Sequence, residues 1–274
     1  MGHISDRQFN ELVELVYRES GIVLKDKREL VEARLASLSR RKGYQEPAEV
    51  IESLKQDQGG AALVELLDQV STNLTYFYRE PAHFEFLEKV LLPELVNRKR
   101  AARRNRIRFW SAACSSGEEA YSLAMTTKEH LPDGGNWDFK ILATDISTKV
   151  LRKAVAGRYT RPEVLKAPAG YIQKYFDRSG DRHEPVYEVR REIKDLVVFR
   201  RLNLLMDSYP FSGLFDLIVC RNVMIYFDQP TKQALLSRFF RYLEPSGYFF
   251  TGHAESLTGY EHLFRRVRVA VYRK

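Results

Sequence analysis

From residue 107 onward the chain is built of short apolar runs set apart by helical segments, and this alternation narrows the possible folds more than any other feature. "IRFWSAA" (107–113), "FKILATD" (139–145), "LVVFRRLNL" (196–204), "FDLIVCRN" (215–222), "GYFFTGH" (247–253) and "VRVAVYR" (267–273) are predicted strands. Helices are predicted between several of them, over Glu118 to His130, Ser147 to Gly157 and Gln229 to Leu243. Alternation of this kind points to an α/β fold: a doubly wound, largely parallel sheet covered on both faces, with ligands at the carboxyl ends of its strands. Residues of about 160–195 interrupt the pattern with helical and hairpin-like pieces around Gly180 and Pro185, which predicts a subdomain inserted on the sheet.

The first 75 residues have a different texture. Ser5 and Gln8 form a capping-box pattern, and Phe9, Leu12, Val13 and Val16 follow at helical spacing up to Gly21. Leu30, Val31, Leu35 and Leu38 mark a second helix closed by Gly43. Val50, Ile51 and Leu54 mark a third, and Leu63, Leu66, Leu67 and Val70 a fourth. A helix carrying Phe84, Leu87, Leu91 and Leu92 is expected to lead up to Pro93. The expected organisation is an all-α domain over 1–75, a linker helix and basic linker over 76–106, and the α/β domain over 107–274.

Charge and composition exclude several classes. The net charge is +8, yet residues 1–75 carry ten Lys/Arg against thirteen Asp/Glu, so the remainder holds the excess. Basic residues gather at Lys25–Lys42 and at Asn97–Arg108, faces able to meet nucleic acid, anionic lipid or an acidic protein surface, or to remain solvated. Two cysteines, Cys114 and Cys220, are too few for a disulfide framework, and no Cys/His spacing suits zinc, so no metal is expected. No apolar run is long enough to cross a bilayer, and "MGHISDRQFNEL" has neither the basic start nor the apolar stretch of a signal peptide, so a cytoplasmic protein is expected.

The first strand–turn–helix, "FWSAACSSGEEAYSLAM", has one glycine where a dinucleotide fingerprint has three, and Glu118 and Glu119 stand at the helix start. A helix start attracts phosphate, and paired acid there repels it. Asp145 ends the second strand, the position from which a carboxylate reaches ribose hydroxyls. A nucleoside with positive charge and no phosphate satisfies both, and S-adenosylmethionine has that chemistry. Glu118 is expected to face its ammonium or sulfonium, and Glu119 to complement the helix dipole.

"STNLTYFYRE" (71–80), "WSAACSSGEEAYSLA" (110–124), "ATDIS" (143–147), "AVAGRY" (154–159), "CRNVMIYF" (220–227) and "GYFFTGHAESL" (247–257) occur in this order, and together they resemble the CheR family of chemotaxis-receptor protein-glutamate O-methyltransferases. Ala120, Tyr76 and Tyr78 depart modestly from the family pattern. The resemblance implies a Rossmann-like methyltransferase domain with a small N-terminal helical domain and an inserted β-subdomain. It also implies S-adenosylmethionine as methyl donor and S-adenosylhomocysteine as product. By the same likeness Asn73, Thr75 and Arg79 contact the cofactor, Asp145 the ribose, Asn203 and Leu204 the adenine, and Arg221 and Asn222 the reaction-side rim. Arg79 and Tyr226 are the candidates for receiving the substrate carboxylate.

The implied substrate is glutamate on the cytoplasmic helices of a chemoreceptor, with Arg34, Arg40 and Arg41 as a docking face; a regulatory adaptor is a partner the likeness leaves open. Glutamate is already ionised at neutral pH, so the transfer needs no base and His253 is read as structural. Two alternatives compete. A nucleic-acid methyltransferase would explain the basic patches, but "RNVMIYF" lacks the Pro-Pro-aromatic element of base methylation. A non-catalytic receptor-docking module is the second.

Overall fold

The computed structural model describes residues 4–56, 66, 75–181 and 183–274. Helix α1 (Asp6–Ser20) opens with the expected capping box: the Gln8 amide donates to Ser5 Oγ at 3.2 Å and the Ser5 amide to Gln8 Oε1 at 2.9 Å. It stops at Gly21, whose φ of 71° lets its amide turn back to the Tyr17 carbonyl at 2.7 Å. Helices α2 (Arg28–Lys42) and α3 (Pro47–Gln56) pack on α1 through Leu12, Val16, Val31, Leu35 and Ile51, all fully buried. Leu66 joins the same core; Leu63, Leu67 and Val70 of the expected fourth helix lie outside the described residues.

Pro93 does not end the next helix. Helix α4 passes without a break through α-helical Pro81–Phe86, a π-helical turn at Leu87–Leu91 and α-helical Leu92–Ala101. A proline ring collides with the carbonyl four residues back and brings no N–H. The wider π turn just ahead, in which the Leu92 amide reaches the Leu87 carbonyl, relieves that collision and keeps the helix going. Part of the Asn97–Arg108 basic cluster is therefore helical, and two of its cations serve the interior. Lys99 Nζ lies 2.7 Å and Arg98 Nη2 3.4 Å from Asp216, a carboxylate that is 2 % exposed. The Arg108 amide donates to the other oxygen at 3.0 Å. A carboxylate can be buried there only because it is paired and hydrogen-bonded.

The main sheet has seven strands in the order β6-β2-β1-β7-β8-β10-β9. They are β1 (Arg106–Ala112), β2 (Asp138–Asp145), β6 (Val197–Arg201), β7 (Phe215–Cys220), β8 (Leu243–Phe250), β9 (Arg265–Arg268) and β10 (Val271–Arg273). The first five are parallel, and the last two form an antiparallel edge. Successive side chains on β1 go to opposite layers: Phe109 packs in the layer holding α5 (Glu118–His130), Trp110 in the layer holding α7 (Gln229–Tyr242). Helix α6 (Thr148–Ala156) follows β2 and is capped by Ser147.

The run "VRVAVYR" is a hairpin, not the single strand expected. Ala270 adopts φ 57° and Val269 is exposed, so the chain reverses there and only Val271 onward pairs with β8. The strand expected over 196–204 stops at Arg201, and the last one on the parallel side starts earlier than expected, at Leu243.

The inserted segment forms a separate antiparallel sheet, β3 (Arg158–Thr160), β4 (Phe176–Ser179) and β5 (Val186–Val189), in the order β3-β5-β4. The helical bundle is joined to the α/β domain at the turn after α1. Ile22 bridges to Phe227, the Val23 amide donates to the Tyr226 carbonyl at 2.9 Å, and Tyr17 Oη donates to Asp228 at 2.9 Å.

Candidate functional site

β1 has β2 on one side and β7 on the other, and the chain winds away from it in both directions. A crevice opens at the carboxyl ends of these strands, where doubly wound sheets bind ligands. An open cavity of about 1090 Å³, counting space continuous with solvent, occupies it. Its floor is Ala113, Cys114 and Ser115 after β1, Asp145 at the end of β2, Leu202 to Leu204 after β6, and Arg221 to Val223 after β7. Ser20 and Ile22 of the helical bundle supply one wall, and Thr75 and Arg79 another.

The turn after β1 explains why a single glycine suffices. Gly117 has φ 96°, and a Cβ there would lie 2.9 Å from that of Ala154 on α6. Ala113 (φ 63°) and Ser115 (φ 49°) are left-handed while keeping their side chains, a strain of about 1–3 kcal/mol each that the surrounding fold sustains. Amides from two turns meet the acid: the Ser115 amide donates to Asp145 Oδ2 and the Ser147 amide to Oδ1, both at 2.9 Å. Asp145 is thereby fixed at the cavity rim.

The two glutamates differ in placement from what the sequence leads us to expect. Glu118 does not line the cavity; it is 1 % exposed, receives the Ser116 hydroxyl on both oxygens at 2.9 and 2.7 Å, and lies 4.0 Å from Lys153 Nζ. Of the pair, Glu119 is the one that lines the cavity. Adjacent helical residues point about 100° apart, so only one of the pair can face the crevice. Ser111 Oγ donates to Glu119 Oε1 at 2.7 Å, and Arg221 Nη1 lies 3.1 Å from Oε2. Burial pushes the carboxyl pKa of both glutamates up; at Glu119, Arg221 and then Ser111 oppose it.

Arg221 ties the site together. Besides Glu119 it meets Glu80 Oε2 at 3.3 Å and donates to the Arg79 carbonyl at 2.5 Å. Its Nε is buried without a partner, as is the Ser115 hydroxyl. Glu80, His83 and His253 place ligand atoms within 4.8 Å of one another, but the Arg221 guanidinium already supplies a cation to Glu80. Burial pushes the His83 pKa down to about 4, leaving the ring neutral near pH 7. His253 is exposed at the edge of this group.

"TYFYRE" works as an anchor with one outward-facing residue. Phe77 is buried edge-on against Tyr159 (4.9 Å) and Phe176 (5.4 Å), and the Tyr78 amide donates to Ser122 Oγ at 3.1 Å. Tyr78 and Glu80 both take φ 58°, and between them Arg79 lines the cavity. Thr75, Asn203, Leu204, Asn222 and Tyr226 also line it; Asn73 lies outside the described residues. The Asn203 side chain is occupied, donating to the Glu19 carbonyl at 2.8 Å and accepting from the Leu205 amide at 2.9 Å, so it holds the loop to the helical bundle. Arg34, Arg40 and Arg41 are exposed on α2, away from the cavity lining; α2 itself starts next to the cavity, with Lys27 Nζ 5.0 Å over the Tyr226 ring.

Glu119, Ser115, Ser20 and Ile22 were not expected at the site. Nearly every residue from Glu118 to Thr127 on α5 is buried, so periodicity gives no polar face that would have separated Glu119 from Glu118.

The profile described as "CheR methyltransferase, SAM binding domain" matches residues 73–273, which hold the whole sheet and every cavity-lining residue except Ser20 and Ile22. The chain belongs to the CheR methyltransferase family. The profile "CheR methyltransferase, all-alpha domain" matches residues 7–71. The chain is similar to the chemotaxis protein methyltransferase of Borreliella burgdorferi, at 40% identity covering 99% of this chain and 95% of that one. To the chemotaxis protein methyltransferase of Escherichia coli it is 40% identical, covering 96% and 88%. To chemotaxis protein methyltransferase 2 of Pseudomonas aeruginosa it is 38% identical, covering 98% and 94%. As a CheR methyltransferase it binds S-adenosylmethionine, and the residues fit that ligand. The cavity offers a rim carboxylate, an inward acid and two buried polar groups without partners.

Proposed function

We propose that this CheR-family protein transfers a methyl group from S-adenosylmethionine to glutamate side chains on the cytoplasmic helices of chemoreceptors, leaving methyl esters and S-adenosylhomocysteine. The observation that supports this most is the composition of the cavity: Glu119 stands at the helix start, where a nucleotide site would present a phosphate cradle, and Asp145 stands at the strand end from which a carboxylate reaches ribose. When bound, S-adenosylmethionine supplies an electrophilic methyl carbon on a sulfonium. Glu119 holds its ammonium in place of the expected Glu118, and Asp145 its ribose hydroxyls. The loop at Asn203 and Leu204 meets adenine through backbone groups, since the Asn203 amide is engaged elsewhere. Asn73, Thr75, Arg221 and Asn222 complete the cofactor contacts.

The attacking oxygen needs no activation. A glutamate side chain has a reference pKa of about 4.3 and is ionised at pH 7, so the protein has only to align it and exclude water, and alignment alone supplies about 7–11 kcal/mol. Arg79 and the Tyr226 hydroxyl receive that carboxylate at the mouth. Arg34, Arg40 and Arg41 meet the acidic receptor helices, and encounter takes place in the cytoplasm. Incubation with methyl-labelled S-adenosylmethionine and receptor-bearing membranes, followed by alkali, tests the reading. The label should leave as methanol; label that survives alkali would mean an N-methyl product and would end the proposal.

A further inference from the structure

We propose that Glu255 is a positioning residue: its buried carboxylate sets the geometry of Asn222 and Tyr226, and through Asn222 that of the cofactor cavity. This rests on the glutamate-methylation reading above. Glu255 lies in the loop after β8, is 6 % exposed, and has no cationic partner among the described residues. It is held instead by three backbone amides. Oε2 accepts from Gly252 at 2.7 Å and from Asn222 at 2.8 Å, and Oε1 accepts from Met224 at 2.8 Å.

Two of those amides belong to the segment after β7 that carries the reacting side of the cavity. Asn222 takes φ 60°, a left-handed conformation that costs a side-chain-bearing residue free energy and persists only where neighbours impose it. The Glu255–Asn222 bond is what imposes it here. Met224 begins the 3-10 turn Met224–Tyr226, so the bond to its amide fixes where the Tyr226 ring projects. The backbone that carries the carboxylate is anchored as well: Thr251 Oγ1 donates to the Glu255 carbonyl at 3.0 Å, and the Glu255 amide to the Gly252 carbonyl at 2.9 Å. Gly252 is part of the device. A Cβ there would lie 2.6 Å from Asn222 Nδ2 and 2.9 Å from Glu255 Oε2.

The arrangement makes graded predictions. In Glu255→Gln one end of the group becomes an amide NH2 that cannot accept. The side chain keeps two bonds by leaving its oxygen on Asn222 and Gly252, which strands the Met224 amide. Displacement of about 1 Å at a reacting group is worth about 100-fold in rate. Glu255→Gln should therefore lower kcat about tenfold or more. Receptor KM should stay within about twofold and calorimetric affinity for S-adenosylhomocysteine within about threefold, because Arg221 and Asn222 stay in place. Glu255→Ala strands all three amides and should also weaken S-adenosylhomocysteine at least tenfold. Gly252→Ala, which leaves the carboxylate intact, should weaken it by about the same factor with a near-native thermal midpoint, and it carries the test if Glu255→Ala does not fold.

A lowered thermal midpoint with kcat and S-adenosylhomocysteine affinity both within twofold of wild type, measured on the folded Gln and Gly252→Ala variants, would overturn the proposal and leave Glu255 a stabilising residue only. The wild type is assayed alongside: if it leaves receptors unmethylated, the glutamate reading fails, and the calorimetric arm still decides the role of Glu255.

Discussion

Glu119→Gln isolates the charge proposed to face the ammonium of S-adenosylmethionine. The substitution keeps volume and the Ser111 contact at 2.7 Å, and it removes the negative charge 3.1 Å from Arg221. A hydrogen bond to a charged group is worth about 1.5–3 kcal/mol, which converts to a loss of about 10- to 100-fold in S-adenosylhomocysteine affinity. Stability should move little. Burial raises the Glu119 pKa in the folded state, so the folded form holds its proton more tightly; this contribution favours folding at low pH and is lost as pH rises through the raised value. Gln at neutral pH removes that burial cost, and Arg221 keeps Glu80 as a partner at 3.3 Å. In the wild type, affinity should fall as pH drops through the raised Glu119 pKa, above the usual carboxylate range, and Glu119→Gln should abolish that dependence. Titration calorimetry across pH on wild type, Glu119→Gln and Glu118→Gln decides the matter. Glu118 is bonded to Ser116 outside the cavity, so its variant should bind within about twofold of wild type. Affinity that falls in Glu118→Gln and holds in Glu119→Gln would refute the reasoning.

Three further outcomes follow from the same structure. Asp216→Asn leaves Lys99 and Arg98 without their buried partner and should cost about 3–5 kcal/mol in denaturant unfolding; a loss below about 1 kcal/mol would show the cluster is not a paired burial. Ser5→Ala removes the Ser5 Oγ acceptor of the Gln8 amide at the start of α1 and should cost about 1 kcal/mol by the same measurement, with S-adenosylhomocysteine affinity unchanged. Charge reversal at Arg34 and Arg40 should raise receptor KM and flatten its salt dependence while cofactor affinity holds; an equal loss of cofactor binding would remove the docking assignment.

Local signals in the sequence were the most readable. Ser5 with Gln8, and Gly21 and Gly43 past their helices, are one-residue chemical requirements that depend on nothing distant. The buried strands were readable because apolar runs covered on both faces leave few alternatives. Pro93 misled because its effect depends on a π turn before it, which no residue type announces. "VRVAVYR" misled because edge hairpins and single strands share a composition, and the reversal rests on one left-handed alanine. At the site, Asp145, Arg79 and Arg221 stand at strand ends or in strained turns, and order along the chain brings them into view. Glu119 against Glu118 is a matter of helix rotation, set by packing on the π turn of α4 and on β2 and β6, and the bonds to Glu255 come from backbone amides that have no sequence signature.

In the proposed reaction the attacking oxygen arrives already charged, and the protein supplies alignment, not a base. The pH dependence of receptor methylation at saturating S-adenosylmethionine, followed from about pH 6.5 to about 9, tests it most directly. The rate should be level across that span for the wild type. A rise along a single ionisation in that range, lost in His253→Gln, would reveal a general base and contradict the account.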